Sequence, residues 1–166
     1  MAEKKLVIDG IRFNYSGMFD IKEFFKEIED WTDENGFERE TKKKLQHVEA
    51  DGKKMDYIFE LWKRVEDWAR VTVRLRVLFR DVVDFDMERK GYKRTMQKGK
   101  CVVIIDGFVE TNIQARWQQK PWFVFVRTLY DKLVWKHWVG RWDGVTASAC
   151  NDLYKKLFEY FKKYKY

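Results

Sequence analysis

The residues of this chain best placed to do chemistry are four arginines at even-numbered positions, Arg70, Arg74, Arg76 and Arg80, and their chemistry is the holding of anions. They share a stretch in which Ala69, Val71, Val73, Leu75, Val77 and Phe79 take the odd positions, a period of two that fits a strand and not a helix. Guanidinium groups on one strand face can track phosphates, and an aromatic ring beside them can stack a base. Trp62 and Arg64, on the segment before, extend this candidate nucleic-acid surface. Glu60 and Glu66 share the same outer parity, so a cross-strand ladder of opposite charges also accounts for the pattern.

A second group lies in the basic, tryptophan-rich stretch 119–142. Lys132, Trp135, Lys136, Trp138 and Trp142 recur at helical spacing, with Arg141 beside them. Such residues suit a core, a protein or oligomer interface, or an anionic membrane surface or base stack. Large aromatics at helical spacing favour the core.

The remaining candidates carry less. Asp84, Asp86 and Glu88 fall on one strand face and could offer oxygen ligands to a hard cation, but a hairpin through Lys90 and Gly91 brings Lys93 opposite Glu88 and favours charge pairing. His47 and His137 lack any metal-ligand spacing, and Gly99, Gly107, Gly140 and Gly144 make no phosphate loop. Cys101 in an apolar strand and Cys150 on a helix stripe read as core thiols. The expectation is a non-enzymatic protein without cofactor or metal.

Composition sets the frame for these residues. The 166 residues are 45% hydrophobic and 17% aromatic, enough for one well-filled α+β domain spanning the chain. A net charge of +7 favours anionic partners in general without singling one out, and it is the arginine face that sets nucleic acid slightly ahead of a membrane surface. The apolar runs 101–105 and 122–126 are far shorter than the roughly 20 residues of a membrane span. With no secretory leader evident and two cysteines read as thiols, the expected location is the cytoplasm.

The elements that must position these groups follow from periodicity. Residues 6–15 alternate, with Val7, Ile11, Phe13 and Tyr15 on one face, and predict a strand that turns at Ser16 and Gly17. Asp20 and Glu23 make a capping-box-like start to a helix buried through Ile21, Phe24, Phe25, Ile28 and Trp31, with Asn35 and Gly36 as its stop. Asp51 and Gly52 signal a hairpin between the charged stretch 37–50 and a strand carrying Met55, Tyr57, Phe59 and Leu61. The alternating stretch 69–89 is too long for a plain strand, so a bulge is expected near Asp81, with Val83, Phe85 and Met87 continuing the odd, apolar parity. A last strand over 92–110 has a possible break at Gly99. Pro121 then opens a helix ending at Gly140, and Thr146 or Ser148 caps a final helix buried through Cys150, Leu153, Tyr154, Leu157, Phe161 and Tyr164.

This order of strand, helix, antiparallel meander, helix and helix resembles the START-like helix-grip superfamily, in which a curved antiparallel sheet wraps a long C-terminal helix around an apolar cavity. The resemblance is one of element order. It implies a carrier of a small apolar ligand, held among aromatics such as Phe59, Phe79 and Phe161, as the alternative to an anion-binding domain. A structural or oligomeric role, with tryptophans buried between subunits, is the third expectation.

Overall fold

A computed structural model describes residues 3–50, 52–66, 69–89, 91–111 and 136–163, the side chains of Glu3, Arg89 and residues 136–141 excepted. The elements are β1 (Glu3–Phe19), α1 (Ile21–Glu34), β2 (Glu38–Glu49), β3 (Gly52–Glu66), β4 (Ala69–Arg89), β5 (Tyr92–Thr111) and α2 (Lys136–Lys163). All five strands pair antiparallel in the order β1-β5-β4-β3-β2. The expected α+β class with an antiparallel sheet stands, mostly strand and with two helices among the described residues. The helix expected to open at Pro121 lies outside them.

The odd residues of β4 and β5 face the helices and are fully buried, Val71 to Phe79 on one strand and Cys101 to Ile105 on the other. Against them pack Phe24, Ile28 and Trp31 of α1 and Cys150, Leu153, Leu157, Tyr160 and Phe161 of α2. Asp20 caps α1 as its sequence predicts, accepting from the backbone N–H of Lys22 and Glu23, and Gly36 ends it in the left-handed conformation. The Glu23 carboxylate pairs with Arg94, and the backbone N–H of Asp20 donates to the Tyr160 hydroxyl at 3.1 Å, while that hydroxyl donates to the Asp20 carbonyl at 2.6 Å. Buried Tyr160, absent from the predicted helix face, thus ties the end of α2 to the β1–α1 corner.

The bulge near Asp81 is present. Register slips between Arg80 and Val83, and Asp81 takes a positive φ of 54°. The kink is packed tightly: a Cβ on Gly99 would meet the Arg80 carbonyl oxygen at 2.9 Å, and one on Gly52 the Asp81 carbonyl carbon at 2.9 Å. Gly17 pairs with Gly99 on the other side, so glycines of β1, β5 and β3 line the bend of β4. This close approach needs glycine, and it explains why β5 runs through Gly99 without a break. The parity expectation beyond Asp81 is corrected here. The inserted residue turns Val83 away from the helix side, where it is 53% exposed, while Val82 takes the buried place. β1 likewise runs on to Phe19 rather than turning at Gly17.

The two C-terminal helices expected to meet near Gly140 are also corrected, because α2 is continuous across Gly140 and Gly144 from Lys136. Thr146 is no cap: its hydroxyl donates to the Trp142 carbonyl one turn back at 2.8 Å. Two mid-helix glycines cost about 1 kcal/mol each. Burial of Trp142, Thr146 and Cys150 against the sheet offsets that cost. Gly107 of β5 makes the approach possible, since a Cβ there would lie 2.7 Å from Cys150 Sγ and 2.8 Å from Thr146 Cγ2.

Candidate nucleic-acid interface

Alternation on β4 puts Arg70, Arg74, Arg76 and Arg80 on the sheet's outer face, opposite the helices, as expected. Each meets a carboxylate. Arg74 donates to Glu60 Oε1 at 3.3 Å, Arg76 to Asp106 Oδ2 at 3.0 Å and Arg80 to Asp56 Oδ1 at 2.6 Å. Arg70 donates to Glu110 through two nitrogens. Asp106 is buried and also accepts from the backbone N–H of Gly10 at 2.7 Å, so it is held from two strands. The ladder of opposite charges anticipated from Glu60 is therefore built, with Asp56, Asp106 and Glu110 as further members.

Balance along this ladder is uneven. At its middle, Arg76 and Arg80 each face one carboxylate, and Glu60 serves Arg74 and Lys42. At the end near Trp62, Glu110 serves both Arg70 and Lys4, while Arg64 sits directly across from Arg70 and has no ion pair among the described residues. Glu38 is the register partner of Trp62 on its other side. The Arg70 guanidinium lies 5.1 Å from the Trp62 ring centre, a cation–π contact.

Trp62 has a counterpart. Thr72 is register partner to Trp62 on one side and to Phe108 on the other, so the two rings stand two strands apart, roughly 9–10 Å, on one face. Lys4 and Arg74 approach the Phe108 ring at 4.3 and 5.1 Å. Sequence reading missed Phe108 and Lys4 because their place depends on β5 and β1 joining the sheet beside β4. Even parity on 92–110 was the available signal for Phe108.

The second group fares differently. Trp142 is buried against Ala69 and Val109, which removes it from the candidate surface. Lys136 and Trp138 belong to the backbone of α2, their side chains outside the description, and Lys132 and Trp135 lie outside the described residues altogether. Asp84 accepts from Lys53 at 2.6 Å, and that bond holds its carboxyl below the usual range. Glu88 is register partner to Lys93, and Asp86 accepts from Thr95. No metal-binding group is found among the described residues, and no described helix is long and apolar enough to cross a membrane.

One further concavity stands apart from the arginine face. A groove of about 380 Å³ runs between β1 and the C-terminal half of α2, walled by Phe13, Tyr15, Phe158 and Phe161. Its aromatics interlock. Tyr15 stacks on Phe161 at 4.6 Å, and Phe158 stacks on Tyr154 and meets Phe13 edge-on, both at 6.0 Å. Deeper between sheet and helices, Phe19 and Phe24 each make ring contacts with Phe79 and with Phe161. No family, no curated protein and no solved structure matches this chain, and the resemblance to helix-grip domains stays one of element order.

Proposed function

We propose that this protein is a non-enzymatic binding domain that engages single-stranded nucleic acid through the Trp62 end of its outer sheet face. The observation that carries the reading is the row of Arg64, Arg70 and Lys4 beside the Trp62 ring, which itself shares a cross-strand row with Phe108. Aromatic rings on a sheet face stack bases of any sequence, and adjacent cations meet the phosphates between them. The net charge of +7 supports an anionic partner. Arg74, Arg76 and Arg80, each held by a carboxylate, act as the frame of the surface more than as its contacts. Two buried free thiols suit a reducing compartment such as the cytoplasm.

The test is binding of a labelled single-stranded oligonucleotide across a salt series. Affinity is expected to fall linearly in log–log form with salt. Trp62→Ala should weaken it by about 1–3 kcal/mol, and Arg64→Ala with Arg70→Ala should reduce the salt slope. Arg76→Ala with Arg80→Ala should change it less. Salt-independent affinity, or affinity indifferent to Trp62 and Arg64, sinks the reading.

A further inference from the structure

The two edges of the sheet are built differently. β2 exposes every residue of both faces and carries Lys42, Lys43 and Lys44 among glutamates, the manner in which an edge is guarded against further strands. β1, the opposite edge, is flanked by the aromatic groove. Among the described residues nothing pairs with its outer side. An open strand edge offers alternating N–H and C=O groups, which select extended main chain over a free small molecule.

The groove adds side-chain requirements. Phe158 is 48% exposed at its wall, an apolar ring that a partner would cover. The polar lining is Asn14, Ser16 and Lys162, with no carboxylate, and Lys162 has no ion pair among the described residues. We infer that the groove between β1 and α2 docks an extended acidic peptide of a protein partner, which adds to β1 as a further strand. Alternate large apolar side chains of the peptide enter beside Phe13, Tyr15 and Phe158, and a carboxylate meets Lys162. This inference is independent of the nucleic-acid reading, because the Trp62 row lies on the outer face and its one β1 member, Lys4, is at the opposite end of that strand from Phe13 to Ser16.

The test uses the full chain and labelled peptides of about eight residues that alternate Phe with Thr, ending in Glu or in Lys, read by fluorescence anisotropy. The acidic peptide is expected to bind at least about tenfold more tightly than the basic one. Lys162→Glu should reverse that order, and Phe158→Ala should weaken binding by about tenfold with circular dichroism unchanged. N-methylation of one of the two alternate amide sets should abolish binding. Absence of binding at about 1 mM peptide, affinity unchanged by either N-methylated set, or a groove that takes a fluorescent fatty acid but no peptide would each overturn the inference.

Discussion

Thr72 sits between Trp62 and Phe108 with its hydroxyl buried and, among the described residues, unpartnered. Replacing that hydroxyl by a methyl removes an uncompensated polar group and keeps a β-branched strand former, so Thr72→Val should raise stability by about 1 kcal/mol, read as a higher urea midpoint. The cysteines behave as the sequence implies. Burial raises both thiols, Cys150 up to about 12 with a smaller contribution from the Asp106 carboxylate, so neither should react with maleimide until the protein unfolds. In the unfolded chain a thiol ionises near pH 8.5, whereas the folded state keeps its proton, so stability is expected to fall as pH rises above about 9. Cys150→Ala should flatten that fall in a pH series of urea midpoints. Residue types carried this much because burial of Cys101 and Cys150 follows from their own strand and helix periods.

At the scale of elements, two of the contacts that hold α2 in place can each be tested. Gly107→Ala pushes a methyl group toward Cys150 and Thr146, and overpacking of this kind should cost about 1–3 kcal/mol. Tyr160→Phe leaves the Asp20 N–H and C=O without the hydroxyl that serves both, and should cost about 1–3 kcal/mol by thermal or urea unfolding. Neither contact could be read beforehand, since each joins residues remote in sequence. What was legible was local: the Asp20 cap, the Asn35–Gly36 stop, the hairpin at Gly52 and the bulge at Asp81 each rest on a few neighbouring residues. The start of α2 was misread because Gly140 and Gly144 look like stops, and only packing on Gly107 shows why they are not. The candidate site divides the same way. Arg70 to Arg80 were legible from alternation and Glu60, which pairs with Arg74, from its outer parity on the preceding strand, but Glu110, Asp106 and Phe108 required the strand order.

For the whole molecule, the decisive fact is that β1 pairs with β5, Glu3 beside Thr111 and Phe19 beside Gln97. Closing such a long loop before any contact rewards it makes folding slow, so refolding followed by tryptophan fluorescence is expected on a millisecond-to-second scale. A refolding reaction complete within about 10 microseconds would contradict this. The Tyr160 hydroxyl at the Asp20 corner carries a consequence of its own for how the molecule is made. Because a ribosome delivers the chain from N- to C-terminus, β1 leaves the tunnel before its partner β5, and the corner at Asp20 gains its seal only when Tyr160 emerges. β1 is therefore made ahead of β5 and α2 yet secured only after both, and throughout that interval the nascent protein presents aromatic strand residues that a holding chaperone would have to cover.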